Sequence, residues 1–170
     1  LTADAVHRFK ECGVSRMAIS MDGPDAASHD DFRQVAGSFQ TSLDALAAAR
    51  SCGLETQINT TVTRSNMHQL ARIAALVERT GASLWSVFFL VVTGRAQMED
   101  DLTAEEYEQV FTYLYETSLT APFDIKTTEA QHYRRYVAQR RKQDGLAAPA
   151  RPGFAPPSIA RQAGINDGKG

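Results

Sequence analysis

An α/β fold with a parallel sheet, closed as a partial (β/α) TIM-type barrel, is what this sequence predicts. Three observations carry that expectation. Short apolar or β-branched runs alternate with amphipathic helical segments. The units recur at roughly 30 to 35 residues, the length of a βαβ crossover. Each run closes on a polar turn, and none is followed by GxGxxG or GxxxxGK[ST]. An open doubly wound sheet is the alternative architecture, and the missing phosphate-cradling loop favours the barrel.

The elements follow in order. Asp4 to Cys12 reads as a helix with Ala5, Val6, Phe9 and Cys12 on one face, ended by Gly13. Ser15 to Met21 reads as a strand, with Met17, Ile19 and Met21 to one side, broken by Asp22-Gly-Pro24. His29 to Arg33 is expected in the loop above it, with His29-Asp30 as a surface cap. Ser38 to Ser51 is a second helix with Phe39, Leu43, Leu46 and Ala47 inward. Glu55 to Thr63 is a β-branched strand. Asn66 can cap a helix running to about Arg79, with Leu70, Ile73, Ala74 and Val77 on its apolar face. Leu84 to Val92 is the third strand, with Trp85 packed against a helix, and it ends at Thr93-Gly-Arg95. Thr103 and Glu106 have capping-box spacing and open a helix over Leu102 to Ser118. Phe123 to Thr128 suits a further strand, and Gln131 to Arg141 a basic helix. From Gly145 onward the chain is rich in Pro, Gly, Ala and Arg without periodicity, as in a linker. The expected division is a barrel segment over 1–137 and a flexible linker over 138–170, leading to a further C-terminal extension.

Composition narrows the function classes. The chain has 170 residues, 43% of them hydrophobic, with a formal net charge of −2. Such a balance gives no electrostatic case for a nucleic-acid partner, and the Arg134 to Lys142 run reads as a solvated helix face. No apolar run approaches the ~20 residues of a membrane span, so a cytoplasmic location is expected. Cys12 and Cys52, the two cysteines, are too few for a four-cysteine zinc site or a three-cysteine cluster motif. They read as small packing residues. His7, His68 and His132 have no metal-ligand spacing. The chain starts at Leu1 rather than Met and is expected to be a segment of a longer protein.

In this architecture function sits at the C-terminal ends of the strands. Ser20 and Asp22 alternate on one strand face, so both can reach a ligand at the mouth, where a hydroxyl and a carboxylate suit sugar hydroxyls. Arg33 can pair with a ligand carboxylate as a bidentate fork. On residue types alone, two other readings stand beside this one. Asp22-Gly-Pro24 can be a simple turn, or Asp22 can be the acid/base of a barrel lyase or aldolase.

The words in combination are more specific. Ile19-Ser-Met-Asp-Gly-Pro24, His29-Asp30, Arg33 and Gly37-Ser-Phe39 resemble the radical SAM enzymes, and in particular their SPASM branch. That branch holds peptide maturases, cofactor-maturation enzymes and haem-biosynthesis relatives. The resemblance extends through Gln57-Ile-Asn-Thr-Thr-Val62, Asn66, Leu70 and Val87 to Arg95. Lys126-Thr-Thr-Glu129, Tyr133-Arg-Arg135 and Gly164 to Lys169 resemble one subgroup.

The resemblance implies a partial barrel, a [4Fe–4S] cluster and S-adenosylmethionine (SAM) cleaved to a 5′-deoxyadenosyl radical. It also implies a peptide or small-molecule substrate, and an electron donor such as a flavodoxin or ferredoxin. Cofactor contacts are implied at Ser20, Asp22, Arg33, Asn59 and Thr61, and through backbone at Leu90 to Val92. Arg95 is implied as a substrate or gate residue. The family's Cys-x-x-x-Cys-x-x-Cys and Gly-Gly-Glu-Pro words do not occur here. The cluster ligands are therefore expected outside this segment, which on its own would be inactive. A cluster-free SAM-binding module is the alternative.

Overall fold

Four parallel strands form one sheet, in the spatial order of the sequence. They are β1 (Arg16–Ser20), β2 (Glu55–Val62), β3 (Leu84–Phe89) and β4 (Asp124–Thr128). The computed structural model describes residues 1–91 and 98–146. The helices are α1 (Ala3–Glu11), α2 (Ala26–Arg33), α3 (Ser38–Ser51), α4 (Leu70–Thr80), α5 (Ala104–Ser118) and α6 (His132–Gln143). An open sheet that runs straight through its strand order, with helical crossovers, is part of a barrel wall rather than a doubly wound sheet.

Period-two alternation sorts the strand residues onto two faces. One carries Ile19, Ile58, Val62, Trp85, Val87, Phe89 and Ile125, and all of them belong to the main core. Leu46, Ile73, Val77, Val110, Phe111 and Leu114 of the helices pack on that face. Trp85 is fully buried there, edge-on to Phe123, with its Nε1 donating to Thr60 Oγ1 at 2.9 Å. The opposite face is mostly polar, with Ala18, Leu84 and Phe88 as its apolar residues, and none of it belongs to the main core.

Local chemistry explains the helix boundaries. Thr103 and Glu106 form the expected capping box. Gly81, at φ 73°, ends α4 in the left-handed region, where glycine has no Cβ to clash. A short 3₁₀ turn at Met67–Gln69 leads into α4.

Several expectations need correction. Residues Ala26–Arg33 are a helix, capped by the Asp25 side chain, and not a loop. A segment with four charged or imidazole side chains has too little apolar periodicity to show as a helix. Of the α1 stripe only Val6 is buried, with Met17, Ala49 and Leu54, while Phe9 and Cys12 are exposed, because α1 lies beside the edge strand β1 and packs mainly on α3. Cys12 is thus no packing residue. Ala47 is exposed, and Ala45 and Ala49 take the inward positions of α3 with Leu46. β3 stops at Phe89. α6 continues to Gln143, past the boundary expected at 137, and Val137 is buried in it. Val92, Thr93 to Arg95 and residues 147–170 of the expected linker lie outside the described residues.

Candidate functional site

The mouth of the sheet is organised by the way β1 leaves β2. Met21 N–H still donates to Asn59 C=O at 2.8 Å. The next ladder bond would run from Thr61 N–H to Met21 C=O. Instead the Asp22 carboxylate takes the Thr61 N–H, 2.7 Å from Oδ1, and Met21 C=O accepts from the Thr60 hydroxyl at 2.7 Å. Asp22 therefore completes the ladder with its side chain. Asn66 locks the junction from the other side. Its amide donates to Asp22 C=O at 3.0 Å and Thr61 C=O at 2.8 Å, and its Oδ1 accepts from Thr63 N–H.

Asp22 Oδ2 forms an ion pair with Arg33 at 2.6 Å. The Asp22 side chain is fully enclosed, whereas that of Arg33 is 37% exposed. Two residues expected to face a cofactor thus face each other, and Arg33 alone keeps an open edge. His29, from the middle of α2, is buried and accepts the Asp22 N–H on Nδ1 at 3.0 Å. Burial holds its pKa below the ordinary 6.5, helped by the Arg33 charge and opposed by Asp22 and Asp30. The ring is neutral, with its proton on Nε2. Gly23 lets α2 come this close: a Cβ there would lie 2.5 Å from His29 N and from Ser28 Oγ. Asp30 caps the next helix, accepting from Gly37 N–H at 2.6 Å and Phe39 N–H at 2.8 Å, and these bonds hold its pKa low. His29, Asn66 and Gly23 escaped the sequence reading as functional residues. The Ser-x-Asp-Gly-Pro and His-Asp words were the signal available for Gly23 and His29, and Asn66 stood among the other positions that carried the resemblance.

The polar face continues this mouth across the sheet. Ser20 pairs in register with Asn59, Asn59 with Ser86, and Ser86 with Lys126. One turn of the pleat further on, Thr61, Phe88 and Thr128 form the next row. Ser20, Asn59 and Thr61 are half-buried on this face. Gln57 donates to Asn59 Oδ1 at 2.7 Å, which leaves the Asn59 amide hydrogens for a ligand. Ser86 Oγ and Thr128 Oγ1 are buried without a hydrogen-bond partner among the described residues. An unsatisfied buried hydroxyl costs about 1–3 kcal/mol, so two on one face mark it as built to meet polar ligand groups. Leu90 lies half-buried just beyond β3.

Ser20, Asn59, Thr61 and Arg33 fit SAM, whose ribose hydroxyls and amino-acid end need hydroxyl, amide and guanidinium partners. They do not fit an iron–sulfur cluster. Cys12 and Cys52 sit at the C-terminal ends of α1 and α3, which feed the N-terminal ends of β1 and β2, away from the mouth. Among the described residues no three His, Cys, Asp or Glu side chains are grouped to hold a metal. Nor is any described helix long and apolar enough to cross a membrane.

Known proteins resemble the chain over most of its length. No family model matches the chain. Over 149 residues, 86% of its length, it is 46% identical to the AdoMet-dependent heme synthase of Nitratidesulfovibrio vulgaris. Over 118 residues, 67% of its length, it is 39% identical to the mycofactocin maturase MftC of Mycolicibacterium smegmatis.

The chain belongs to the radical SAM family.

This radical SAM segment spans 41% of the heme synthase and 30% of MftC. Its fold is like that of Streptococcus suis SuiB, solved with S-adenosylmethionine and with precursor peptide SuiA. The TM-score is 0.57 at 16% identity, over 71% of this chain and 29% and 28% of those two SuiB chains. With a parallel sheet backed by helices on one face, the radical SAM segment is a piece of a partial TIM-type barrel wall.

Proposed function

We propose that the whole protein binds SAM across the ends of β1 and β2 and cleaves it reductively to mature a cofactor, with a tetrapyrrole as substrate. The polar row that begins Ser20–Asn59 on the helix-free face is the observation that carries this reading. Ser20 and Asn59 meet the ribose or amino-acid part, and Thr61 lines the same rim. Arg33 offers its open edge to the SAM carboxylate while Asp22 holds the other edge. Backbone at Leu90 flanks the adenine. A [4Fe–4S] cluster, for which the described residues offer no ligand set, would supply the one-electron reduction of SAM when bound. Electrons come from a flavodoxin or ferredoxin. Residues 1–143 form the C-terminal part of the core barrel, followed by a linker to a further extension.

The tetrapyrrole assignment is supported by the identity to an AdoMet-dependent heme synthase over 86% of the chain. Peptide maturation is a second reading, supported by the identity to MftC. The lyase or aldolase reading loses its acid/base, since the Asp22 carboxylate is enclosed and ion-paired.

The test is anaerobic incubation of the cluster-reconstituted whole protein with SAM and dithionite. Formation of 5′-deoxyadenosine is expected. A fully reconstituted protein that forms none contradicts the reading.

A further inference from the structure

Lys126 belongs to no motif used so far, yet it stands on the helix-free face in the row of Ser20, Asn59 and Ser86. It is half-buried. Among the described residues no hydrogen bond or ion pair engages it, and none joins it to Asp124, which has a partner of its own. Ser86 lies beside it in register and is 1% exposed, with an unpartnered Oγ. Thr128, two residues on and on the same face, has a buried and unpartnered Oγ1. Phe88 pairs with Thr128 and lays a half-buried ring next to them.

We propose that Lys126, Ser86 and Thr128 form a carboxylate-binding site that anchors an acidic side chain of a tetrapyrrole substrate, with Phe88 as its apolar floor. This rests on the function proposed above and assigns the substrate end of the same face. The chemistry is one-sided. An ammonium supplies three donors, and each hydroxyl can donate one hydrogen, so the missing partner is an acceptor. Negative charge suits the ammonium, and a carboxylate has lone pairs enough for all three groups. A macrocycle with carboxylate arms brings both the flat apolar surface that Phe88 offers and the anion that Lys126 lacks. The site is two strands from Asn59, about 10 Å at the strand spacing of a sheet. SAM and substrate would therefore sit side by side on one face.

The experiment uses the whole protein, with protoporphyrin IX and its dimethyl ester as probes, followed by fluorescence. SAM binding is measured in parallel by calorimetry. Wild type is expected to bind the diacid about ten-fold more tightly than the ester, the scale of one charge-assisted contact. Lys126→Met should erase that preference by weakening the diacid alone. Lys126→Arg, which keeps the charge, should retain it, and Ser86→Ala should weaken the diacid by a smaller factor. Unchanged far-ultraviolet dichroism and SAM affinity in these variants show that the fold is intact. A wild type that binds neither probe or shows no preference overturns the proposal, as does a Lys126→Met variant that keeps the preference. Loss of SAM binding in wild type with the diacid preference intact would sink the SAM reading and leave the carboxylate site standing.

Discussion

Asp22 and Arg33 are joined at 2.6 Å, the carboxylate fully enclosed and the guanidinium partly open. Eleven residues separate them in sequence, and α2 is what brings them back together. The pair does two things at once. It closes the β1–β2 ladder through Thr61, and it holds an arginine whose side chain stays 37% exposed.

Removing the Asp22 charge should therefore cost stability and free Arg33. Asp22→Asn keeps an oxygen for Thr61 N–H but loses the ion pair, and a cost of about 1–3 kcal/mol is expected from urea unfolding. Partial exposure of Arg33 keeps this below the cost of breaking a fully buried pair. A double-mutant cycle with Arg33→Ala should show coupling of at least about 1 kcal/mol. Additive single effects would mean that the pair contributes no interaction of its own.

His29 gives the fold a defined pH dependence. Its folded pKa is depressed, chiefly by burial, from the ordinary 6.5. The unfolded chain thus takes up the proton at a higher pH than the folded chain does. Stability is fully present above the unfolded value and falls as pH drops below it, by up to about 1.4 kcal/mol per pH unit. Protonation would also remove the acceptor for Asp22 N–H. The melting temperature should decline from pH 7 to about pH 5.5, and His29→Gln, whose amide oxygen can accept the same bond, should flatten that decline. An equal slope in the variant would assign the effect to other groups.

Gly23 is constrained by space. A methyl group there meets His29 N and Ser28 Oγ at 2.5 Å. Gly23→Ala should cost about 1–3 kcal/mol by forcing α2 outward. The lost Asp22–His29 contact should appear as a weakened pH dependence of stability. A variant with wild-type melting temperature would show that α2 has room to move.

Much of this was legible in the residues. The β-branched run at Glu55 to Val62, the Thr103–Glu106 capping box and the apolar stripe of α4 each specify one local structure, and each formed as read. α2 did not show. Ser28 to Arg33 is nearly all polar, and its helix is held by the Asp25 cap and by His29 turned inward, which no periodicity displays. The inward turn of Asp22 was hidden for a related reason. Whether a strand-end carboxylate faces ligand or backbone depends on where the neighbouring strand leaves an amide unpaired. Lys126 was noticed only as part of a word, because its meaning depends on two empty hydroxyls beside it in space.

The most direct test of the account is equilibrium binding of SAM to the whole protein, measured by calorimetry for wild type and for Asn59→Leu. Cys52→Ala, at the opposite end of the sheet, serves as a control. If the Ser20–Asn59 end of the polar face holds SAM, Asn59→Leu should weaken binding by about ten-fold, the value of one or two ligand hydrogen bonds, with the control unchanged. Wild-type affinity in a folded Asn59→Leu variant would contradict the placement of SAM on this face.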